Sequence, residues 1–246
     1  MPDPAPDSTT TAAASAELQQ LLLATDDIDE FLQQLAHLAA TVASGELSCG
    51  ITMRRDHRPI TVANSDSRAA QVDEIQYGHQ NGPCLASLDT GEVIVVEDLA
   101  TDDRWNGYRI PALGHGIRAS MSLPLRTNRT VIGALNLYAT RPHAFGPQEL
   151  LAASRFADEA SRALTLALRL AESAEMSQDL QNALASRAVI DHALGIIMGQ
   201  NRCTADEAFE ILRTTSQNRN IKIREIAAEI ITAVSGQPPP SAPRFS

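Results

Sequence analysis

The sequence predicts an α+β domain with a mainly antiparallel sheet flanked by helices, then a long connecting helix, and at the end a three-helix bundle. Short runs with strand-like patterning lie between residues 47 and 138, separated by polar turns. The stretch from 150 to 198 contains no proline and a single glycine, which predicts one long helix. Beyond it, two short segments have apolar residues at helical spacing and complete the bundle.

The chain divides into four predicted segments. Residues 1–17 are rich in Pro, Asp, Ser, Thr and Ala, and residues 237–246 are rich in proline, so both ends are predicted to be disordered. Residues 18–170 are predicted to form the α+β domain. Residues 171–236 are predicted to form the helical domain, whose first helix continues the last helix of the α+β domain.

The α+β domain begins with helical periodicity over residues 18–42, which predicts one or two helices. Helical patches are predicted at Ser67–Ile75 and Arg109–His115. The run Val93–Val96 is wholly apolar and predicts a strand buried on both faces. The other predicted strands are Cys49–Met53, Ile60–Ala63, Met121–Leu125 and Val131–Tyr138, the last two forming a hairpin.

The long helix is predicted to begin with Gly146 as N-cap and Pro147 at the first helical position. Small residues that recur in steps of four and three residues allow another helix to approach closely. The pattern outlasts one small domain and predicts a homodimer through the long helices; packing of the helix on its own sheet is the alternative. The residues of this stripe are Ala153, Ala157, Ala160, Leu164, Ala167, Ala171 and Ala174.

In the bundle, Thr204 and Glu207 have the spacing of a capping box. Ala193 and Gly195 are predicted as packing positions, and Asn220 as an N-cap if it has no other role. The predicted inner faces are Ala208, Phe209, Leu212 and Thr215 on the second helix, and Ile223, Ile226, Ala227, Ile230 and Val234 on the third.

Charge restricts the possible functions. The formal net charge is -10, which argues against indiscriminate binding of polyanions. Against this background, Arg213–Arg224 contains four basic residues, including Lys222, the only lysine, and no acidic one. Residues 180–234 hold six basic and six acidic side chains, so attraction to phosphates alone would not give tight binding.

Other function classes find no support in the sequence. The three cysteines are far apart, which predicts reduced thiols rather than a disulfide framework. The first residues lack the features of a signal peptide, and no run of about 20 apolar residues occurs, so a cytoplasmic protein without a membrane span is expected. The histidines have no metal-ligand spacing, and no nucleophile, phosphate-loop or dinucleotide motif is found. We therefore expect no metal, no cofactor and no enzyme activity.

The C-terminal segment resembles the ANTAR family, an RNA-binding module of bacterial transcription antitermination regulators. The resemblance covers about fifty residues, and one position departs from it, since Leu194 stands where many members have lysine. The matching residues are Arg187, Ile190, Ala193, Gly195, Met198, Asp206–Phe209, Leu212, Arg213, Ser216, Asn220, Ile223, Ile226 and Ala227.

The region Ile28–Leu170 resembles a GAF sensor domain, and the order GAF then ANTAR looks like an actinobacterial type of regulator. GAF domains bind very different small molecules, so the resemblance implies a fold and leaves the ligand open. The matching residues are Gly82–Cys84, Thr90–Glu92, Val95–Leu99, Arg104, Trp105, Gly116–Ala119, Ser122–Pro124 and Gly133–Asn136.

Together the resemblances imply an antitermination regulator that binds hairpin loops in nascent RNA under the control of a GAF sensor. The expected RNA-binding residues are Arg187, Arg213, Ser216, Asn220, Lys222 and Arg224. The expected lining of a small-molecule pocket is Tyr77, Cys84, Trp105, Met121 and Asn136.

Two alternatives stay open. The near-neutral bundle can instead dock on a protein partner, with the GAF domain binding a small molecule. A GAF-fold enzyme such as a methionine sulfoxide reductase would need paired reactive cysteines, and Cys49 and Cys84 show no sign of pairing in the sequence.

Overall fold

The computed structural model describes residues 16–18, 20–25, 27–42, 46–55, 58–127 and 130–239. The chain separates into two units, Met1–Ala171 and Glu172–Ser246. Of the segments predicted to be disordered, 1–15 and 240–246 lie outside the described residues, and 16 and 17 are helical. No helix of the described residues is long and apolar enough to cross a membrane.

The first unit is built on one antiparallel sheet of five strands in the order β2-β1-β5-β4-β3. The sheet, its flanking helices, the long helix and the C-terminal bundle confirm the predicted fold class. The strands are β1 Leu47–Arg55, β2 Arg58–Asn64, β3 Ile94–Val96, β4 Ala119–Thr127 and β5 Thr130–Ala139.

Seven further elements are helices, and residues 16–18 and 20–24 are also helical. The caps predicted from sequence are present: the Gly146 amide donates to the Glu149 carboxylate, and Thr204 and Glu207 form the capping box. The helices are α1 Ile28–Ala39, α2 Ser67–His79, α3 Pro83–Thr90, α4 Asn106–Gly114, α5 Pro147–Asn201, α6 Ala205–Arg219 and α7 Ile223–Ser235, with a 3-10 turn at Asp103–Trp105.

The two faces of the sheet differ in chemistry because successive side chains of a strand point to opposite sides. One face is aliphatic: Ile51, Met121 and Leu137 are buried in a core shared with Phe31 of α1 and Phe156 of α5. The opposite face carries the polar side chains of the same strands and is covered by α2, α3 and α4. Its inward residues are Gly50, Thr52, Ser120, Ser122, Asn136 and Tyr138.

The prediction that Val93–Val96 is buried on both faces is wrong. The strand is Ile94–Val96, it lies at the edge of the sheet, and Ile94 and Val95 are only half-buried. An apolar run alone does not distinguish an edge strand from a central one. Helix α3 was not predicted, since its eight residues are too few for a periodic signal.

Most of the small-residue stripe of α5 is buried and is not accessible to a second molecule. Ala153, Ala157, Ala160, Leu164 and Ala167 are buried in the core of the first unit, so the alternative of packing on the chain's own sheet is the one the structure adopts there. The last two members of the stripe differ, because Ala171 is half-buried and Ala174 is exposed.

The second unit has its own core where α5, α6 and α7 meet. The predicted inner positions Phe209 and Val234 are wrong, since they are 39% and 56% exposed. Gly195 is also exposed, and a Cβ there would meet nothing, so it is not a packing position within the described bundle. The buried residues are Val189, Ala193, Ile197, Ala208, Leu212, Ile226, Ala227 and Ile231.

Candidate functional site

The polar face of the sheet forms a hydrogen-bonded cluster beneath α2, α3 and α4, which we call the polar layer. It joins three strands to two helices, and most of its members are fully buried. Its members are Thr52, Thr61, Asp73, Gln76, Tyr77, Cys84, Asn136 and Tyr138.

Asp73 on α2 is the acidic member of the polar layer. Its carboxyl accepts from Asn136 Nδ2 at 3.0 Å, from Thr61 Oγ1 at 3.3 Å and from the Tyr138 hydroxyl. Gly50 of β1 packs so closely that a Cβ at that position would collide with the carboxyl. Burial raises the pKa of Asp73 to about 7, although the hydrogen bonds from Tyr138, Thr61 and Asn136 oppose the rise.

Tyr77 links two strands through its hydroxyl, which lies 2.8 Å from Thr52 Oγ1 and 2.9 Å from Thr61 Oγ1. In each bond either hydroxyl can be the donor. Thr52 Oγ1 also receives the Asn136 amide at 3.0 Å and the Cys84 thiol at 3.3 Å. The hydroxyls therefore form a continuous chain from Thr52 through Tyr77 to Thr61 and on to the carboxyl of α2.

Gln76 fastens the start of α3 to the sheet. Its amide nitrogen donates to the Tyr138 hydroxyl at 2.9 Å, and its amide oxygen accepts the Cys84 N–H at 2.8 Å. Gly82, just before α3, leaves room for this side chain, since a Cβ there would meet the Gln76 amide.

The structure brings together three of the five residues predicted to line a pocket: Tyr77, Cys84 and Asn136. Trp105 is half-buried against an apolar cluster that borders the polar layer and includes Tyr138, with the Arg104 guanidinium 5.3 Å from its ring centre. Met121 lies on the aliphatic face of the sheet.

Sequence reasoning missed Asp73, although a signal was available. Ala69, Val72 and Gln76 are buried along α2, and Asp73, one turn after Ala69, is on the same side of the helix. Met121 could also have been excluded, because Ser122 pairs with Asn136 and neighbouring residues of a strand face opposite sides.

The cations of the second unit differ in whether they form ion pairs. Arg213 is paired with Glu210 at 2.6 Å, Arg219 with Glu229 at 2.5 Å, and Arg187 more loosely with Asp191 at 3.8 Å. Within the described chain, Lys222 and Arg224 are exposed and make no ion pair. They are the cations of the Arg213–Arg224 segment whose charge is uncompensated.

Lys222 and Arg224 flank the turn between α6 and α7. Asn220 ends α6 in the left-handed conformation at φ 53°, so the N-cap role predicted for it is wrong. Ser216 closes the turn by donating its hydroxyl to the Ile221 carbonyl at 2.5 Å. Lys222 takes the N-cap position of α7 and makes no side-chain cap, which leaves the first amides of that helix available.

Two other side chains have distinct positions in the bundle. Phe209 lies one turn before Arg213 on α6, and both are exposed on the same side of that helix. Arg187 is exposed on α5, and at 100° per residue it lies about 120° round the helix from the mean direction of the buried Val189, Ala193 and Ile197. Arg187 therefore lies on the flank of α5, outside the turn that carries Asn220, Lys222 and Arg224.

Comparison with protein families assigns both units. The GAF domain family matches residues 25–165, more than half of the chain. The chain belongs to this family. The ANTAR domain family matches residues 178–231, so a GAF domain is followed by an ANTAR domain, as the sequence predicted. The protein is thus a GAF-coupled ANTAR regulator.

Solved structures share the fold of the GAF domain at low sequence identity. The GAF domain of a phosphoenolpyruvate-protein phosphotransferase from Coxiella burnetii is 14% identical, with 69% of this chain and 99% of that chain covered and a TM-score of 0.52. Free methionine-R-sulfoxide reductase from Neisseria meningitidis, solved with its substrate, is 13% identical, with coverage of 68% and 96% and a TM-score of 0.52. No curated protein matches the chain.

The thiols of the GAF domain are unsuited to nucleophilic chemistry. Cys84 is fully buried, and burial together with the nearby Asp73 raises its pKa to about 12. Cys49 lies on the aliphatic face of the sheet, the opposite side from Cys84, and its pKa is also raised by burial. Cys203 belongs to the ANTAR domain. Among the described residues, no group of three or more His, Cys, Asp or Glu side chains is placed to hold a metal ion.

Proposed function

We propose that this protein regulates transcription by binding RNA. Its ANTAR domain binds hairpin loops in nascent transcripts and favours the antiterminated form, while its GAF domain senses the signal that controls this output. The observation that carries the proposal is the match of residues 178–231 to the ANTAR domain family, directly after a GAF domain.

The turn between α6 and α7 is the part of the ANTAR domain best suited to RNA. Lys222 and Arg224 are unpaired cations beside the uncapped N-terminus of α7, where the helix dipole and free amides favour an anion. Asn220 exposes an amide that can both donate to and accept from a base edge. Away from the turn, in the first half of α6, exposed Phe209 has a ring on which an unpaired base can stack.

The charge balance limits how much of the binding is electrostatic. Arg213 and Arg219 already have carboxylate partners, and a phosphate would have to displace Glu210 or Glu229. Two phosphate contacts, from Lys222 and Arg224, give a slope of about -1.4 for log K against log salt on a single strand. Such a weak dependence means that loop bases must supply most of the specificity.

The test is equilibrium binding of RNA hairpins by the full chain at several salt concentrations. The double variant K222A/R224A is expected to weaken binding at least about tenfold and to flatten the salt slope by about 1.4. R187A, which removes an exposed cation of the same domain on α5 and outside the turn, is the matched control and is expected to change little. Unchanged affinity in K222A/R224A would reject this site.

A second candidate function is docking of the bundle on a protein. Its support is the apolar exposure of the ANTAR domain, where Phe209, Ile211 and Val234 are 39%, 43% and 56% exposed. The affinity for a protein partner bound through these residues would be nearly independent of salt. F209A would lose this binding, whereas K222A/R224A would bind the partner as the wild type does.

The protein is proposed to act as a homodimer through α5, by a different face from the stripe of small residues. Leu166, Leu170, Leu180 and Leu184 are between 48% and 61% exposed, and their spacing is that of alternating coiled-coil core positions. All the residues of 172–184 are exposed in the single chain. A solvated helix of that length is marginal alone, so a second copy of α5 would stabilise it.

A small polar molecule is one form that the signal can take. Asn136 Oδ1 and the Ser120 and Ser122 hydroxyls are buried without a hydrogen-bond partner in the described chain, and they share the face of the sheet that carries the polar layer. These atoms are the groups with which a ligand of the GAF domain would pair.

A further inference from the structure

Asp73 is a buried carboxyl with no cation beside it. It is fully buried and makes no ion pair within the described residues. The groups that face it from β2 and β5 are hydroxyls and an amide: Thr61, Tyr138 and Asn136. The titratable groups around it are Cys49 of β1, Tyr138 of β5, Cys84 of α3, Tyr108 of α4, and Tyr77 and Glu74 of α2.

None of these neighbours is a base, so nothing in the cluster stabilises the ionised carboxyl by opposite charge. The only acid among them, Glu74, is exposed and disfavours a second negative charge. Hydrogen-bond donors alone therefore stabilise the ionised form of Asp73. Burial of an anion without a cation beside it is costly in free energy.

The hydrogen bonds of the polar layer can serve either protonation state. With Asp73 ionised, the Thr61 hydroxyl donates to its carboxylate. With Asp73 protonated, the carboxyl donates to Thr61 Oγ1, the Thr61 hydrogen turns to Tyr77, and the Tyr77 hydrogen turns to Thr52. Both Tyr77 bonds permit this, since in each either oxygen can be the donor. One proton is gained and no heavy atom moves; the Thr52 hydroxyl changes from donor to acceptor in its bond with Tyr77, and its own hydrogen turns away from the layer.

We propose that Asp73 and the hydroxyl chain Thr61–Tyr77–Thr52 form a proton-binding site through which the GAF domain responds to pH. The ligand is the proton itself, taken up at a carboxylate oxygen of Asp73 from solvent. Because the site joins α2 to β1, β2 and β5, ionisation weakens the attachment of that helix to the sheet. The role of the proton as a regulatory signal rests on the function proposed above, whereas the binding of the proton does not.

The direction of the pH effect follows from the folded-state pKa of Asp73, which is raised from 3.8 to about 7. Between these values the folded chain holds a proton that the unfolded chain has released. The unfolding equilibrium constant should therefore rise with pH across this window, by up to about tenfold per pH unit, and level off above it.

The first measurement is carboxyl NMR of the full-length protein labelled with carbon-13 at aspartate. One aspartate resonance is expected to titrate near neutrality, to be absent from D73N and to persist in E74Q. Glu74 is the adjacent acid on the same helix and lies outside the polar layer, which makes E74Q the matched control. If every aspartate titrates at an acidic pH, the proposal is overturned.

The second measurement is denaturant unfolding of the GAF domain within the full chain, followed by the fluorescence of Trp105, the only tryptophan. Relative to the wild type and E74Q, D73N is expected to lose the pH-dependent component. If D73N does not fold, Y77F decides, since loss of the hydroxyl that accepts the Thr61 proton should move the midpoint to lower pH. An unmoved midpoint in Y77F overturns the hydroxyl chain. Neither measurement uses RNA, so failure here and failure of RNA binding are distinguishable.

Discussion

Cys84 sits in the polar layer of a fold that a methionine-R-sulfoxide reductase also uses. The thiolate is the nucleophilic form of cysteine, and burial holds Cys84 as the thiol because its pKa is raised to about 12. Its sulfur is engaged with Thr52 and Asn136 at 3.3 and 3.2 Å. We interpret Cys84 as a hydrogen-bonding member of the layer, and thiol catalysis finds no support in this GAF domain.

Alkylation of the folded protein at neutral pH tests this interpretation. We expect iodoacetamide to modify Cys203, which is half-buried, and to leave Cys84 and Cys49 unmodified, because both are fully buried. Mass spectrometry of the peptides gives the result. Modification of Cys84 in the folded protein at the rate of a free thiol would mean that the site is reactive.

For single residues, the sequence predicts which side chains belong to a polar cluster better than it predicts where each of them lies. Tyr77, Cys84 and Asn136 were expected together and are together. Of these, Cys84 and Asn136 belong to the motifs that resemble the GAF family. Asp73 was missed because the helical spacing that links it to Ala69, Val72 and Gln76 does not by itself show that this side of α2 is covered by a sheet. The pairing of Arg213 and Arg219 with carboxylates depends on rotamers and on the packing of α6 against α7, which local sequence does not determine.

For helices and strands, the capping residues at the starts of two helices were predictable from sequence. The elements that pack against one another were not. Thr204 with Glu207 and Gly146 with Glu149 are local arrangements, readable from a few residues. The edge position of β3 depends on the order of the strands. The stripe of small residues on α5 has the same sequence pattern whether a sheet or a second helix packs against it. In this structure most of the stripe packs into the core of the GAF domain.

The exposed leucines of α5 make the dimer testable. L180E/L184E is expected to convert the dimer to a monomer, because charged side chains would face each other across the seam. Analytical ultracentrifugation of the full chain measures the change. L151E is the control, since Leu151 is 42% exposed on the same helix and lies off the leucine spacing. A dimer that survives L180E/L184E would place the interface elsewhere.

At the scale of the whole molecule, one helix contributes to two cores. α5 supplies Ala153–Ala167 to the core of the GAF domain and Val189–Ile197 to the core of the ANTAR domain. The residues between them that the dimer would cover are exposed. In the proposed dimer, a change in the GAF domain would reach the proposed RNA-binding turn by altering how two copies of α5 pair.

The order of the domains and the fold of each followed from sequence, because family motifs and helical periodicity span many residues. The signal did not follow, because three of the five residues expected to line a small-molecule pocket belong to a packed hydrogen-bonded layer around Asp73, and Trp105 and Met121 lie outside that layer.

RNA recognition by the ANTAR domain can be tested by selection of RNA hairpins with randomised loops by the full-length protein, at acidic and neutral pH and at two salt concentrations. We expect enrichment of a common loop sequence, retained at the higher salt and lost in K222A/R224A. A folded, dimeric protein that enriches no loop under any of these conditions would contradict RNA recognition by the ANTAR domain.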